Sequence, residues 1–196
     1  MKFFTIVLLC ALAALAWARQ QAEATEEDVP TVFPSPNFNA VEDARSLRDA
    51  VHGPGTNEQV IIQVLTNRSN GQRQQIKTAY WELYGSDLVE DLDDDIQDKD
   101  FRFVVDSLMM PFNEFEETFT DEEKVKYSVY EDALHEAMAG PGTDETLLSR
   151  IIVWRCEIDL GTVKNRYYYK YGDTLANDVS SETSGNYRDV LLALIK

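Results

Sequence analysis

Two copies of one segment dominate this chain, and the duplication constrains its fold more than any other feature. The hexapeptide Gly53-Pro54-Gly55-Thr56-Asn57-Glu58 returns 87 positions later as Gly140-Pro141-Gly142-Thr143-Asp144-Glu145. The alignment extends without gaps from 53–95 onto 140–182, and it ends in both copies on a carboxylate, Asp95 or Glu182. A repeat of this length predicts that each half forms the same supersecondary unit and stacks against the other.

Apolar residues recur at helical spacing through both copies, and they predict five helices in each. In the second copy the predicted helices lie near 129–139, 145–154, 160–171, 174–179 and 185–195. The helices of the first copy end at Gly53, near 65, at Gly85, near 94 and before Pro111. Glycine and proline are typical helix terminators. The predicted fold class is therefore all-α.

The chain is predicted to divide into five segments. Lys2 precedes an apolar run from Phe3 to Ala16 and a small-residue cleavage pattern, which predict a secretory signal peptide over 1–18. The run is shorter than the ~20 residues that span a bilayer. A flexible arm with three prolines follows over 19–38, and then the first repeat over 39–111. An acidic linker over 112–126, which we expect to be solvated and which can contain a helical turn of its own, leads to the second repeat over 127–196.

The formal net charge of −17 excludes some classes of partner. Loss of the leader removes one positive charge, Lys2, and leaves −18. Such acidity argues against nucleic acid as a partner, and also against direct electrostatic attachment to anionic lipid. A divalent cation between protein and membrane would remove the second objection.

The paired glycine loops carry the chemistry that such a cation needs. Glycine permits a tight turn that exposes backbone carbonyls, and a distant carboxylate completes a shell of hard oxygen ligands for calcium. The plainer interpretation is a helix–helix turn in a decayed repeat, but decay would not require both carboxylates at matched spacing. An EF-hand at Asp91, Asp93 and Asp95 fails because Ile96 and Arg102 stand where glycine and glutamate are required.

A Gly-x-Gly-Thr-[Asp/Asn]-Glu turn, an arginine closing the next helix and an acidic residue 42 positions on resemble the annexin repeat. The first copy is similar to the first repeat of that family and the second copy to the fourth. The resemblance implies two five-helix repeats in a right-handed superhelix, with calcium bound by loop carbonyls and one carboxylate per repeat. It implies the ligands Val51, Gly53, Gly55 and Asp95 in the first site, and Met138, Gly140, Gly142 and Glu182 in the second. The family match favours the second site.

The chain departs from the family in several respects. Annexins normally have four repeats and lack a leader. The basic residue usual before the first glycine is His52 in one copy and Ala139 in the other, and both loops carry a proline, Pro54 or Pro141, where an apolar side chain often touches lipid. The missing basic residue and the prolines mean that the resemblance does not predict strong affinity for lipid headgroups.

Other residues receive plain interpretations. Cys156 is the single cysteine after the leader; we expect a half-buried thiol rather than an intermolecular bridge. Trp81 and the run 167–169 are expected to pack in the core. Asn67 opens a glycosylation sequon. No nucleophile–base–orienter set is visible, so an enzyme is not predicted.

Two hypotheses follow. The first is a secreted, calcium-dependent binder of acidic phospholipid membranes, peripheral on their surface, with a homodimer as a way to restore the fuller set of sites. The second is a secreted protein-interaction module or effector on the same scaffold, with residual calcium sites and a protein partner. Neither involves nucleic acid.

Overall fold

The structure is a computed structural model that describes residues 27–53 and 55–196, and these residues form twelve helices with no strand. The prediction of an all-α fold with five helices in each repeat is confirmed. The helices are α1 (Ala40–Val51), α2 (Glu58–Leu65), α3 (Asn70–Tyr84), α4 (Leu88–Asp95), α5 (Lys99–Met109), α6 (Phe112–Glu117), α7 (Asp121–Lys126), α8 (Tyr130–Met138), α9 (Glu145–Arg155), α10 (Leu160–Tyr171), α11 (Leu175–Glu182) and α12 (Gly185–Ile195).

Local sequence determines where the helices begin and end. The Ser69 hydroxyl accepts from the Gln72 backbone N–H at the start of α3, and the Gln72 side chain returns the bond as a capping box. Gly85 and Gly172 end α3 and α10 in the left-handed conformation, with φ of 67° and 80°. Equivalent residues of the two copies therefore terminate equivalent helices.

The two repeats pack internally in the same way. Helix α1 lies against α2, α3 and α4, and its counterpart α8 lies against α9, α10 and α11. Between the repeats, α9 packs on α5, and α12 packs on both α2 and α5. The buried apolar residues of both repeats belong to one continuous core. The halves therefore share an interior and form a single folding unit.

A buried ion pair crosses the interface between the repeats. Arg73 is only 2% exposed, and its Nη2 lies 2.6 Å from Oε1 of Glu157 in the second repeat. Its remaining N–H groups donate to the backbone carbonyls of Leu65, Arg68 and Leu108. Glu157 also accepts from the backbone N–H of Asn70, which is the first residue of α3. The first repeat thus has a helix N-terminus that is capped by the second repeat.

Part of the segment before α1, which was expected to be a flexible arm, is bonded to the second repeat. The backbone N–H groups of Thr31 and Val32 donate to the Cys156 carbonyl at 2.8 and 2.9 Å, and Val32 is buried. Gly161 donates to the Val29 carbonyl at 2.7 Å, and a Cβ on Gly161 would collide with that oxygen. Hydrogen bonds to the second repeat therefore hold 29–32 in place. The predicted signal peptide over 1–18 and residues 19–26 lie outside the described residues.

The acidic linker folds into α6 and α7, and it differs from the expected solvated segment because it contributes to the core. Phe115 and Phe119 are both buried, and Phe119 stacks on Trp154 with ring centroids 4.5 Å apart. Arg150 covers the other side of Phe119 and lies 2.8 Å from Glu123. Most acidic residues of the linker are exposed, while its two buried phenylalanines anchor it to the core.

Two further sequence predictions need correction. Of the aromatic residues assigned to the core, Tyr167 is fully buried, whereas Trp81, Tyr168 and Tyr169 are exposed. Cys156 is fully rather than half buried, and burial raises the pKa of its thiol to about 12. A thiol that is buried and protonated at neutral pH is poorly placed to form an intermolecular bridge.

Candidate functional site

The first glycine loop joins α1 to α2 and makes a tight turn. Gly55 has φ of +97°, a conformation that glycine adopts without steric cost, and its N–H donates to the Gly53 carbonyl at 2.9 Å. The Asn57 N–H closes the loop on the Ala50 carbonyl. Pro54 lies outside the described residues.

The distant carboxylate of the first repeat lies against this loop. Asp95 is the last residue of α4, and its Oδ2 accepts from the Thr56 hydroxyl at 2.6 Å. The same hydroxyl is 3.2 Å from the Asp95 backbone carbonyl. The structure therefore brings together the two parts of the predicted first site, although they are far apart in sequence.

The second loop repeats the backbone geometry of the first. Gly142 has φ of +109°, its N–H donates to the Gly140 carbonyl at 3.0 Å, and Gly140 donates to Met138 at 3.2 Å. The Thr143 hydroxyl lies 3.3 Å from the backbone carbonyl of Glu182. The Glu182 side chain is exposed at the end of α11. The second carboxylate is thus near its loop, without the hydroxyl contact that Asp95 has.

The donor set of both loops fits calcium better than a transition metal. Val51 and Met138 end α1 and α8, so their carbonyls belong to the last turn, where intrahelical partners run out. Across 27–53 and 55–196, no three His, Cys, Asp or Glu side chains form a metal-binding group. Any ion at these loops would therefore rely on backbone carbonyls, which calcium accepts readily and zinc does not.

Behind the first loop, a polar network surrounds Asp91. Its Oδ2 accepts from Arg48 at 2.9 Å, from the Tyr80 hydroxyl and from Ser86 at 3.0 Å, and it lies 3.3 Å from Nε2 of His52. Burial alone raises the pKa of Asp91, but the hydrogen bonds outweigh it and lower the pKa below its usual value. Burial and the bond to Asp91 raise the pKa of Tyr80 to about 12. This network holds α1, α3 and α4 together beneath the loop.

Behind the second loop lies a cleft of about 200 Å³. Asp178 occupies the position equivalent to Asp91, and its Oδ2 accepts from the Tyr167 hydroxyl. The residues equivalent to Arg48 and His52 are His135 and Ala139. The His135 ring stacks on Tyr171, with centroids 3.9 Å apart. The cleft is lined by His135, Met138, Ala139, Tyr167, Asp178, Ser181 and Glu182.

Sequence reasoning did not find this cleft or the network around Asp91. The signal was present, because Tyr80 and Asp91 align with Tyr167 and Asp178 between the copies. The copies differ at the two positions Arg48/His135 and His52/Ala139. A comparison based on identical residues gives no information about such positions.

A second cleft joins the two repeats near the ends of α4 and α11. Asp98, three residues after Asp95, lines this cleft of about 150 Å³ together with Glu145 and Glu182 of the second repeat. The segment that follows Asp95 and the carboxylate of the second site therefore line one cleft. In the part of the chain that the structure describes, no helix has the length and apolar character needed to cross a bilayer.

Comparison with known proteins identifies relatives for both repeats. The sequence model of the family described as Annexin matches residues 42–105 and 130–194. Annexin A10 of Mus musculus is 37% identical over 166 residues, which are 85% of this chain and 47% of that protein. Annexin A5 of Homo sapiens is 37% identical over the same shares. The chain spans about half the length of the curated relatives it matches.

Solved structures give the same fold. Chicken annexin V is 20% identical, with a TM-score of 0.75 over 87% of this chain and 99% of that chain. Annexin (Sm)1, whose structure is described as calcium-bound, is 19% identical with a TM-score of 0.73 over 86% of this chain and 93% of that chain. At these identities the likeness concerns the fold alone.

Proposed function

This chain belongs to the annexin family, and from that premise we propose that it binds acidic phospholipid membranes peripherally through calcium held at its two glycine loops. The observation that carries the proposal is the contact between Thr56 and Asp95. In this contact a carboxylate 42 positions after Gly53 reaches the glycine loop. The family supplies the general activity, calcium-dependent phospholipid binding, and the contact supports the residues that the sequence predicts.

The proposed ligands are those that the sequence predicts. They are the carbonyls of Val51, Gly53 and Gly55 with the Asp95 carboxylate, and the carbonyls of Met138, Gly140 and Gly142 with the Glu182 carboxylate. When bound, calcium would supply open coordination positions for lipid phosphate oxygens, since its shell holds six to eight ligands. The role of the chain is to position the oxygen atoms and to keep both loops on one side.

The negative net charge of the chain supports the proposal that a cation bridges the protein and an acidic membrane. The chain carries a net charge of −17, and acidic lipid surfaces repel such a protein. Residues 52–57 and 139–145 contain no lysine or arginine, and the second stretch adds the carboxylates of Asp144 and Glu145. Without calcium, therefore, we expect no attachment to an anionic vesicle. Two sites on one side give avidity that one site would not have.

Cosedimentation with anionic vesicles tests the proposal. The chain should pellet at millimolar calcium and stay in solution with a chelator. Asp95→Asn and Glu182→Gln should each remove one site, seen by calorimetry as the loss of one calcium-binding event, and the double variant should not pellet. Asp94→Asn and Glu136→Gln are matched controls, because they remove one exposed carboxylate each without touching a proposed ligand. Equal pelleting with and without chelator would contradict the proposal.

We also propose that the chain is secreted, on the strength of the apolar run after Lys2. Expression in a cell with a secretory pathway should release a protein whose first residue is Arg19. Mass spectrometry of the medium and of the cell lysate measures this directly. Full-length protein that stays inside the cell would contradict secretion without affecting the calcium proposal.

A second candidate function is favoured by the exposed aromatic side chains. Trp81 is 61% exposed and Tyr169 is 86% exposed. Exposed aromatic residues are enriched at protein–protein interfaces. Under this alternative the chain is a protein-interaction module, and calorimetry would show no heat of calcium binding to the wild-type protein.

A further inference from the structure

The turn that follows α2 presents an asparagine on the surface of the first repeat. Asn67 is exposed, and it opens Asn67-Arg68-Ser69, the single Asn-x-Ser/Thr acceptor triplet of the chain for an N-linked glycan. Its Nδ2 donates to the Gln63 carbonyl at 2.8 Å. Because a primary amide has two N–H groups, a glycosidic bond can replace one hydrogen while the other keeps the bond to Gln63.

The equivalent turn of the second repeat is covered. Trp154 aligns with Asn67, and it is buried against Phe119 of the linker, with ring centroids 4.5 Å apart. Beside Asn67, by contrast, the structure has an open groove of about 420 Å³. The same place in the two repeats therefore packs into the core in one and is accessible in the other.

The groove combines apolar rings with charged donors. It lies between the segment before α1 and the turn after α2, and Phe33 in that segment is 59% exposed. Pockets that hold small molecules have volumes of roughly 300–1,000 Å³ and join apolar surface to a few polar groups. The groove has both properties. The residues that line it include Phe33, Pro34, Pro36, Asn67, Arg68 and Lys196.

Hydrogen bonds hold both walls of the groove in place. The Gln72 side chain accepts from the Ser35 N–H at 2.8 Å and donates to the Ser35 carbonyl at 2.9 Å. Lys196 donates to Oδ1 of Asn67 at 2.8 Å and to the Thr66 carbonyl at 3.0 Å. An ammonium has three N–H groups, so Lys196 can also donate to a hydroxyl in the groove. The groove is thus formed before any ligand enters it, which lowers the entropic cost of binding.

We propose that Asn67 carries an N-linked glycan and that its first sugar, an N-acetylglucosamine, lies in this groove. The C–H face of the sugar ring packs on Phe33, and a sugar oxygen accepts from Lys196. Because the sugar is tethered to the wall of the groove, its effective concentration there is high. The inference rests on the proposed secretion, which brings the chain to the enzymes that transfer glycans.

The attachment is a substitution at the anomeric carbon of a polyprenyl-diphosphate-linked oligosaccharide, which is the donor. A bond forms between Nδ2 of Asn67 and that carbon, and the bond from the carbon to the diphosphate oxygen breaks. The polyprenyl diphosphate leaves with the bonding electron pair, and Nδ2 loses one proton. The product is an N-glycosidic amide with one N–H, as the bond to Gln63 requires.

A glycan at this position leaves the first proposed calcium site accessible. The first glycine loop precedes α2, and Asn67 follows it. Helix α2 has 8 residues, so it is about 12 Å long. The glycan and the loop therefore lie at opposite ends of this helix.

Expression of the full-length chain in a cell with a secretory pathway tests the attachment. The secreted wild-type protein should exceed the mass of its polypeptide by one glycan, and a peptide N-glycosidase should remove the excess. Asn67→Gln should be secreted at the mass of the polypeptide alone. Ser69→Thr is the matched control, because it keeps both the acceptor triplet and the hydroxyl that caps α3, and it should keep the glycan.

Two outcomes separate this inference from the proposed secretion. Secreted wild-type protein without the excess mass would overturn the inference and leave secretion standing. Full-length chain that stays inside the cell would contradict secretion, and the inference would fail with it.

Thermal unfolding tests the place of the first sugar. An endoglycosidase that cleaves between the first two sugars leaves one on Asn67, and the same chain made with glycan transfer blocked carries none. The single sugar should raise the midpoint of wild-type unfolding by about 2–4 °C. In Phe33→Ala the shift should fall below about 1 °C. Phe103→Ala, which removes an exposed phenylalanine that does not line the groove, should keep the wild-type shift. Equal shifts in wild type and Phe33→Ala, or none in either, would overturn the placement in the groove.

Discussion

The two repeats have the same backbone conformation at their glycine loops, but different side chains fill the space behind each loop. Gly55 and Gly142 have nearly the same φ, and both loops close with equivalent backbone hydrogen bonds. In the first repeat, however, Thr56 holds the Asp95 carboxylate and Arg48 neutralises Asp91. In the second repeat the distant carboxylate is exposed and a cleft lies behind it. The backbone turn is the same in both repeats, whereas a few different side chains give the two loops different surroundings.

This difference bears on which loop binds calcium more readily. The family match favours the second site, but the structure holds the Asp95 carboxylate at its loop and leaves Glu182 exposed. A carboxylate that is already positioned loses less conformational entropy on binding an ion. The comparison between the repeats therefore favours the first site for calcium.

The largest expected effect comes from breaking the link between the repeats. Arg73→Leu should lower the free energy of unfolding by about 3–5 kcal/mol, because it leaves Glu157 and three backbone carbonyls without their partner. Leucine is also the residue at the equivalent position, 160, of the second repeat. Urea unfolding measures the loss, and Gln75→Leu on the exposed side of α3 is the control. A loss below about 1 kcal/mol would show that the pair contributes little.

The next largest effect should come from neutralising the equivalent carboxylates Asp91 and Asp178, whose removal should lower the free energy of unfolding by different amounts. Asp91→Asn should cost about 2 kcal/mol at pH 7, since it weakens bonds to a charged group, and Asp178→Asn about half as much or less. The pKa of folded Asp91 is depressed, so its contribution is present above the unfolded value near 3.8. That contribution is lost as pH falls through the depressed folded pKa. Urea unfolding from pH 7 to pH 3 should therefore show the Asp91→Asn difference begin to shrink below about pH 4; equal costs for both variants would contradict the comparison.

Removing the carboxylate of Asp106 in α5 should have the opposite effect and raise the free energy of unfolding. Among the described residues its Oδ1 is the buried side-chain oxygen without a hydrogen-bond partner, and the equivalent residue of the second repeat is Ala193. Burial, with a smaller contribution from Asp93, raises the pKa of Asp106 to about 6. A raised folded pKa means that stability is lost as pH rises from about 4 to 6. Asp106→Ala should thus raise the free energy of unfolding by about 1 kcal/mol at pH 7 and by nothing at pH 4; a loss at pH 7 would contradict this.

The last prediction concerns calcium binding rather than folding, and it compares the threonine of each loop. Thr56→Ala should weaken calcium binding at the first site about ten-fold, because the hydroxyl that orients the Asp95 carboxylate is lost. Thr143→Ala should change the second site less than about two-fold, since its hydroxyl meets only a backbone carbonyl. Calorimetry in a Glu182→Gln background isolates the first site, and an Asp95→Asn background isolates the second. Equal losses would remove the proposed difference between the loops.

Much of the fold could be predicted from local sequence. The bounds expected for α10 and α12, 160–171 and 185–195, are those observed, because helical periodicity and terminal residues act within a few positions of one another. Gly85 and Gly172 end their helices as expected. Residues 112–126 were harder to interpret, since six acidic residues concealed the two phenylalanines that reach the core.

Exposure of aromatic residues could not be predicted in the same way. Trp81 and Tyr168 occupy equivalent positions of α3 and α10, and both are exposed although their neighbours Tyr80 and Tyr167 are fully buried. Periodicity indicates that a helix has an apolar face, but the width of that face depends on which other helices cover it. The arm over 29–32 was missed for the same reason, because its hydrogen-bond partners lie in the second repeat.

The sequence by itself determined the repeat, the helices, the family and the pairs of loop and carboxylate, because spacing and backbone conformation encode all of these. Only the tertiary structure decided how the two loops differ. Arg48 reaches Asp91 across 43 positions and Thr56 reaches Asp95 across 39. Contacts at such separations depend on how α1, α3 and α4 pack, and no local pattern specifies which side chain will fill the space between them. The open cleft beside Asp178 likewise depends on how α8, α10 and α11 pack, so no local pattern predicts it.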